Sequence, residues 1–330
     1  MRFLYVTDTH IRGTSPRSRT DDFPRAIREK LQEVVELAHR EEVDAVLHGG
    51  DLFDRPDISP AVVREFAALF RRLQVPLYLI AGNHDIYGHN PETVDRSMLG
   101  LLDAFGTVRL LRNGEKLLLE KGGVSVQLSG QSFHYDLDKR DPALDYAVEN
   151  RTGADVCIHM VHGMAVDRAL PAEVPHTLVD HLWFDAVDVL LTGHYHAGFP
   201  VQRRGGRYIV NPGALARINN HPSEIRRRPQ VAVIEVEGEI RVRILPLRCA
   251  AAGETVLDRS YMEKAMFREE KMASFVQQIR AGGNFRHLAV TDIIEEIAQL
   301  TGVEDEVRLE ALARIGEVQE RFGYGEGVED

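Results

Sequence analysis

Five short motifs in the sequence combine carboxylate, amide and imidazole side chains, and each one follows a run of apolar residues. In chain order they are Asp8-Thr9-His10, Gly49-Gly50-Asp51, Gly82-Asn83-His84-Asp85, His162-Gly163 and Gly193-His194-Tyr195-His196. Side chains two positions apart on an extended segment point the same way, so Asp8 pairs with His10, and His194 with His196. The glycines permit sharp turns that aim the following polar group inward.

Together these motifs offer two carboxylates, one amide oxygen and four imidazoles, with no thiolate among them. Such ligands suit borderline divalent ions such as manganese, iron or zinc. Seven ligands are too many for one tetrahedral ion, and they fit two ions that share a bridging carboxylate. Any single motif is also compatible with a packed or surface histidine, but five in order, each after its own strand, favour a metal centre.

The elements that must position these motifs alternate in the first hundred residues, where short apolar runs are separated by longer amphipathic ones. This alternation predicts an α/β domain. The runs at 3–6, 45–47 and 77–80 are strand-like, and helices are predicted near 23–41, 60–73 and 91–105. Two hairpins, at 117–128 and 231–245, and two further apolar runs, at 156–161 and 187–191, follow. Strand ends in such sheets are where ligand crevices open.

The pattern changes near residue 250, after which apolar residues recur at helical spacing. Helices are predicted at 257–280, 292–300 and 305–321, with glycine-containing breaks between them. We therefore predict two parts, a larger α/β domain over residues 1–250 and a small helical segment over residues 251–330.

The five motifs resemble the two-metal signature of the calcineurin-like metallophosphoesterases, and the resemblance covers roughly residues 1–247. It implies a four-layer αββα sandwich, with two β-sheets face to face and helices outside. It also implies one metal on Asp8, His10 and His196, a second on Asn83, His162 and His194, and Asp51 as the bridge. Two metals about 3.5 to 4 Å apart lower the pKa of a water, clamp a phosphate oxygen and neutralise charge.

His84 lies beside a metal ligand but is surplus to the coordination set. The position that it holds in the resembling family implies that it protonates the leaving alkoxide or stabilises charge in the transition state. Asp85 is a candidate to hold the His84 ring in orientation, with capping of the turn as an equal alternative.

Gly50-Asp51-Leu52-Phe53-Asp54, followed by a Pro-containing loop, is similar to the SbcD type of double-strand-break repair exonuclease. This narrower resemblance implies a manganese-dependent DNA exonuclease that also acts as an endonuclease, in repair or recombination. It further implies a homodimer and an SbcC-like coiled-coil ATPase as partner. The SbcD type usually carries an additional α/β capping module, and the strand pattern here ends near residue 247, which leaves the positioning of duplex DNA open.

Basic side chains follow two of the motifs. Arg12, Arg17 and Arg19 lie on a loop directly after the first motif, and arginine forks suit phosphate oxygens. His89, after the asparagine motif, is a further candidate to touch substrate. A second arginine-rich stretch follows the last motif and is predicted to extend a basic rim, with a solvated charged surface as the alternative: Arg203, Arg204, Arg207, Arg217, Arg226, Arg227 and Arg228.

The remaining partner predictions rest on apolar stripes. One stripe, on the helix predicted at 60–73, consists of Val62, Phe66, Leu69, Phe70 and Leu73. The other, on the helix predicted at 91–105, consists of Val94, Met98, Leu101, Leu102 and Phe105. Two further apolar residues, Val63 and Leu99, lie outside these stripes. Packing against the sheet explains most of these residues, and a homodimer would use the excess. Met262, Met266, Phe267 and Met272 lie on the first C-terminal helix, which we predict to dock the ATPase. Packing of this helix on the catalytic core is the alternative.

Composition narrows the class of protein. The chain has 330 residues, 44% of them apolar, and a net charge of −11, which argues against a protein that coats nucleic acid by bulk electrostatics. Cys157 and Cys249 form no metal or disulfide motif, which fits a reducing cytoplasm. The sequence predicts no membrane span.

The alternatives to a DNA nuclease are a small-molecule phosphodiesterase for cyclic nucleotides, a phosphoprotein phosphatase, or an inactive scaffold. The intact ligand set speaks against the scaffold.

Overall fold

A computed structural model of the protein describes residues 1–258 and 304–322. The chain divides into two compact units, residues 1–258 and 259–330. The first unit contains all five motifs, and the second is described only through one helix.

The first sheet of the larger unit has six strands among the described residues. They are β1 (Arg2–Val6), β2 (Ala45–His48), β3 (Leu77–Leu79), β4 (Arg109–Leu110), β13 (Gln230–Glu237) and β14 (Glu239–Pro246), in the order β14-β13-β1-β2-β3-β4. Strands β1 to β4 are parallel, and β13 runs antiparallel to β1 and β14. The parallel part brings the carboxyl ends of β1, β2 and β3 to one edge.

The second sheet also has six strands in the described part of the chain. They are β5 (Lys116–Lys121), β6 (Val124–Gln131), β7 (Val156–Val161), β10 (Val189–Thr192), β11 (Phe199–Arg204) and β12 (Arg207–Asn211), in the order β11-β12-β10-β7-β6-β5. The parallel strands β6, β7, β10 and β12 form its centre. A separate pair, β8 (Ala165–Val166) and β9 (Thr177–Leu178), follows β7.

The two sheets pack face to face because their strands are apolar on both sides. In β1, Phe3 and Tyr5 point into the core between the sheets, where they meet residues of β7 and β10 such as Ile158 and Leu191. Leu4 belongs instead to the outer core beneath the helices. Successive side chains of β1 thus point to opposite faces of the sheet, and both faces are buried, as expected for a strand that lies between two layers. The predicted four-layer α/β sandwich is confirmed.

The helices that cover the first sheet are α1 (Phe23–Arg40), α2 (Pro60–Phe70) and α3 (Met98–Ala104). Shorter helical segments are α4 (Ala143–Tyr146), α5 (Pro222–Arg226) and α6 (Gly253–Val256), with 3₁₀ turns at Tyr87–His89, Pro91–Arg96 and Val179–His181. The Asp22 side chain accepts a hydrogen bond from the Arg25 N–H and so caps α1. The first predicted helix is confirmed almost to the residue.

The helix predicted over 91–105 is wrong as a single element. The chain forms a 3₁₀ turn at Pro91–Arg96 and then α3, because the Ser97 side chain accepts from the Gly100 N–H and starts a new helix. The break changes which residues of this segment face inward, since Leu99, outside the predicted stripe, is buried, whereas Leu101 and Phe105 are 41% and 74% exposed. On α2, Val63 is also buried, although it lies outside the stripe predicted there.

The end of the first unit lies beyond the boundary predicted at residue 250. Leu257 is buried and pairs with Arg19, and the Asp258 N–H donates to the Ser18 carbonyl. In the second unit, the helix Asp305–Phe322 matches the predicted helix at 305–321. The helix predicted at 292–300, and the one at 257–280 beyond Asp258, lie outside the described residues, together with the four docking residues proposed on the latter. Among the described helices, none has the length and apolarity to cross a bilayer.

Candidate metal centre

The polar motifs lie where the parallel strands of both sheets end. Asp8 follows β1, Asp51 follows β2 and Asn83 follows β3, while His162 follows β7 and His194 follows β10. Backbone hydrogen bonds join the loops after β1 and β2, since the Asp8 N–H donates to the Gly50 carbonyl at 3.1 Å. Both sheets therefore present their motifs to the same crevice, as the sequence predicts.

The backbone at this crevice is unusual, because Asp8, His10, Asp51 and His194 all have φ between 43° and 65°. This left-handed region is uncommon for residues with a side chain, and departures of this kind cluster at functional sites. The glycines beside them leave room for close approach. A Cβ on Gly50 would lie 2.3 Å from His162 Nδ1.

A first group of ligand atoms comes from Asp8, His10, Asp51 and His196, all within 4.8 Å of one another. The Nε2 atoms of His10 and His196 are 3.0 Å apart, and His196 Nε2 is 3.6 Å from Asp8 Oδ1. Two neutral imidazole nitrogens facing each other, with a carboxylate beside them, form the arrangement that a cation could hold together.

A second group consists of Asp51, His162 and His194, again within 4.8 Å. His162 Nε2 lies 3.3 Å from Asp51 Oδ2 and 3.2 Å from Asn83 Oδ1. The other ring nitrogen, His162 Nδ1, contacts the Gly49 carbonyl at 2.7 Å and fixes the ring with Nε2 pointing into the crevice. Asp51 belongs to both groups, which is the position that a bridging carboxylate requires.

The chemistry of this donor set fits divalent metal ions. Asp51 Oδ1 accepts a hydrogen bond from the His84 N–H, but the buried Asp51 Oδ2 accepts none among the described residues. Burial lowers the pKa of both His10 and His194 to about 3, so each is neutral and can coordinate. A buried carboxylate oxygen without a hydrogen-bond donor is costly unless a cation lies beside it.

His162 and Asp51 form the charged pair of the metal-free site. Burial alone would lower the pKa of His162, but the adjacent Asp51 carboxylate raises it to about 9. Burial opposes ionisation of Asp51, yet the surrounding imidazoles, His162 foremost, hold its pKa well below the usual range. A bound cation would replace this proton, because an imidazole must be deprotonated to coordinate.

His84 lies at the mouth of the first group. Its ring stands edge-on to the His10 ring, with centroids 4.7 Å apart, and its Nδ1 lies 2.8 Å from the Asp54 carbonyl oxygen. Because a carbonyl only accepts, Nδ1 carries the hydrogen and Nε2 is left to face a substrate.

Asp54 is a residue of this site to which sequence reasoning gave no role. Its carboxylate forms an ion pair with Arg12 at 3.0 Å, and its Oδ1 is 3.8 Å from His10 Nδ1. Its backbone carbonyl at the same time orients His84. The sequence did contain a signal for Asp54, because it lies three residues after Asp51 in the segment Gly50-Asp51-Leu52-Phe53-Asp54. That segment was used only for the resemblance to the SbcD type.

Asp85 does not orient the His84 ring. Its buried carboxylate instead accepts from the backbone N–H groups of Leu52, Phe53 and Gly82 at 2.9 to 3.2 Å. Burial, with the nearby Asp51 carboxylate, raises the pKa of Asp85 to about 7. Of the two alternatives, the structure favours the turn: Asp85 ties the loop after β2 to the loop after β3.

Asp85→Ala is expected to lower the free energy of unfolding by at least about 2 kcal/mol, since it strands three buried donors. Urea unfolding of metal-free protein measures this without a contribution from metal binding. Asp85→Asn retains one acceptor oxygen and should fall between wild type and Asp85→Ala. Equal stability of all three proteins would contradict the assignment.

The arginines singled out in the sequence divide into two kinds. Arg19 is buried, pairs with Asp21 at 2.6 Å and donates to the Arg217 carbonyl, so its prediction as a phosphate contact is wrong. Arg217 is buried as well, and Arg227 forms an ion pair with Glu224. These side chains hold the protein's own loops together. The basic rim is correspondingly smaller than predicted.

The remaining predicted contacts lie at the surface. Arg12 is half-buried and paired with Asp54, whereas Arg17 and His89 are exposed. The His89 ring packs edge-on against Phe133, with centroids 5.4 Å apart. Of the basic stretch, Arg203, Arg204, Arg226 and Arg228 are exposed, and Arg207 pairs with Asp185.

Comparison with known proteins agrees with this site. Residues 1–198 match the family model of the calcineurin-like phosphoesterases, and the chain belongs to that family. It is accordingly a metal-dependent hydrolase by family. Among curated proteins, it is similar to relatives named DNA double-strand break repair protein Mre11.

Two of these relatives match over much of the chain. The protein from Methanosarcina mazei is 25% identical over 262 residues, 75% of this chain and 39% of its own length. The protein from Archaeoglobus fulgidus is 28% identical over 234 residues, 66% of this chain and 50% of its own length. A third, from Aeropyrum pernix, is 34% identical over 109 residues, 31% of this chain and 24% of its own length. The chain thus spans between about a quarter and a half of these relatives.

Among solved structures, the protein TT1561 of Thermus thermophilus is similar over 75% of this chain and 99% of its own length, at 16% identity. The TM-score is 0.45, too low to support an argument.

Proposed function

We propose that the protein is a manganese-dependent DNA nuclease that cleaves phosphodiester bonds as an exonuclease and an endonuclease, in DNA repair or recombination. The observation that carries the proposal is the convergence of the seven predicted ligands, with Asp51 common to two groups and His84 at their edge. The similarity to double-strand break repair proteins supports DNA as the substrate.

In this proposal, Asp8, His10, Asp51 and His196 hold one divalent ion, and Asn83, His162 and His194 with Asp51 hold the other. Bound ions supply charge neutralisation at the phosphate and acidify water. His84 donates a proton from Nε2 to the leaving oxygen in its imidazolium form, and the hydrogen bond from its Nδ1–H to the Asp54 carbonyl fixes the orientation of the ring. Arg12 keeps Asp54 in place through their ion pair.

An assay panel with manganese tests the substrate. It compares single-stranded DNA, duplex DNA with open ends, duplex DNA with blocked ends, a cyclic dinucleotide, an aryl phosphodiester and a phosphoprotein. The proposal expects cleavage of DNA, with open-ended duplex degraded faster than blocked duplex. Cleavage of the cyclic dinucleotide without DNA would indicate a small-molecule phosphodiesterase instead. Phosphatase activity on a phosphoprotein without diesterase activity would favour that alternative, and inactivity on every substrate would favour a scaffold.

We also propose that the protein is a homodimer through α2 and α3. The support is the apolar surface that α3 leaves in solvent, with Leu101 at 41% and Phe105 at 74% exposure. Sedimentation at micromolar concentration should therefore give a dimer. Phe105→Glu should shift it toward monomer, whereas Leu144→Glu, which changes another exposed apolar residue, should not.

An SbcC-like coiled-coil ATPase is the partner that we propose for residues 259–330. Truncation after Asp258 keeps α6 and the contacts of Leu257 with the first unit. We expect the truncated chain to melt near the full-length temperature and to hydrolyse an aryl diester at an unchanged rate. Co-purification with a co-expressed ATPase should disappear. A truncated chain that precipitates, or one that still captures the ATPase, would contradict the docking role.

The proposed compartment is the cytoplasm. Cys157 is buried, Cys249 is exposed, and both are free thiols, which fits a reducing environment.

A further inference from the structure

A row of aromatic rings leads from the second ligand group to the surface. The Phe133 ring lies 5.7 Å from the His194 ring and 6.4 Å from the His162 ring, between centroids. On another side it lies 5.4 Å from the ring of His89, which is exposed. Phe133 itself is half-buried. The row therefore connects buried ligands with solvent through one side chain that is not a ligand.

The backbone around Phe133 is fixed to the same strand end that carries Asn83. The Phe133 N–H donates to the Ala81 carbonyl at 2.9 Å, and the Ala81 N–H donates to Ser132 Oγ at 3.0 Å. In addition, the Ser132 N–H donates to Asn113 Oδ1, which anchors the start of this loop. The ring is thus held relative to the ligands, as a binding platform requires.

The charge around the site cannot by itself account for recognition of a nucleotide. Arg19 is engaged with Asp21, and Arg12 with Asp54. Neutralised arginines give little attraction for a phosphate backbone. Aromatic stacking is the other general means of holding a nucleic acid strand, and it works for any base because every base has a π-face.

We infer that Phe133 and His89 form a stacking platform for the nucleobase next to the phosphate that is cleaved. The base stacks on the face of one ring and meets the edge of the other, because the two ring planes cross at 76°, while its phosphate faces the second ligand group. This inference rests on the proposed function, because it names how the same site selects a nucleotide over a plain phosphodiester. Phe133 is a specificity residue here, since it contributes no coordinating or proton-transferring atom.

Two substrates with the same leaving group test this inference. Thymidine 5′-(p-nitrophenyl phosphate) and methyl p-nitrophenyl phosphate both release p-nitrophenolate and differ only in the nucleoside. Phe133→Leu retains apolar bulk but removes the ring. Because stacking on an aromatic side chain strengthens binding of a base by roughly tenfold or more, kcat/KM for the thymidine ester should fall about tenfold. The value for the methyl ester should stay within about twofold. Phe184→Leu, the same change at a partly buried phenylalanine outside the row of rings, should alter neither.

A binding measurement separates this inference from the proposed function. Calorimetric titration of metal-loaded wild type with thymidine 5′-monophosphate and with inorganic phosphate should show tighter binding of the nucleotide. In Phe133→Leu that advantage should be lost, with phosphate affinity unchanged. Equal losses for both ligands, or an advantage that survives the substitution, would overturn the platform. If the advantage disappears as expected but no DNA is cleaved in the assay panel, the platform stands and the nuclease proposal fails.

Discussion

Asp51→Asn is expected to abolish phosphodiester hydrolysis and to remove metal from both positions. The Asp51 carboxylate lies in both ligand groups, and its Oδ2 is buried and accepts no hydrogen bond within the described residues. An asparagine amide is neutral and presents only one acceptor oxygen, so it cannot hold two cations as a carboxylate does. We expect kcat/KM to fall by about a thousandfold or more, because charge stabilisation by the metals amounts to several kcal/mol.

Metal analysis of the dialysed variant, alongside activity with excess manganese, measures both effects. Asp57→Asn provides the matched control, because Asp57 lies six positions along the same loop and its side chain is 61% exposed. It should keep its metal content and its rate. A dialysed Asp51→Asn protein that still holds two metals per chain would show that the carboxylate is not the bridge.

His84→Ala should have the opposite pattern, with metal content retained and turnover lost. The His84 ring is outside both groups that share Asp51 and lies instead with His10 and Asp54, and its Nδ1 donates to the Asp54 carbonyl. Removal of a general acid typically lowers the rate by about 10²- to 10⁴-fold. The loss should be large for DNA, whose leaving alkoxide needs a proton, and much smaller for a p-nitrophenyl diester, whose leaving group is stable as an anion.

This dependence on the leaving group distinguishes a proton donor from a structural residue. His181→Ala removes an exposed imidazole remote in sequence from the motifs and should leave both substrates unaffected. If the His84→Ala chain lacks metal after dialysis, His84 is a ligand. If it loses the same factor on both substrates, its contribution is not a proton.

Much of the site was predictable because strand ends and motifs are local in sequence. The motifs at Asp8, Asp51 and Asn83 each follow a short apolar strand, and parallel pairing brings such ends together regardless of the helices between them. The position of the motifs at strand ends therefore predicted that they could converge, whereas the pair of facing sheets was implied by the resemblance to the calcineurin-like metallophosphoesterases. The sequence also anticipated α1, whose cap and apolar periodicity are carried by adjacent residues.

The errors fall where a side chain's partner is distant in sequence. Arg19 meets Arg217 across 198 positions, and no local pattern distinguishes such a buried guanidinium from one that awaits a phosphate. For Asp85 the sequence left two alternatives open for a similar reason, since its donors at Leu52 and Phe53 belong to another loop. The break before α3 is a different, local error, because Ser97 caps Gly100 only three positions away and the apolar spacing over 91–105 also fits one continuous helix.

The left-handed backbone at Asp8, His10, Asp51 and His194 has a consequence for the stability of the protein. Each such residue costs about 1 to 3 kcal/mol relative to a relaxed conformation, and glycine avoids most of that cost. Activity and robustness are therefore opposed at the same four positions. The four ligands therefore stand at positions where the backbone alone would favour glycine, and the folded protein carries the conformational cost of keeping a metal-binding side chain at each of them.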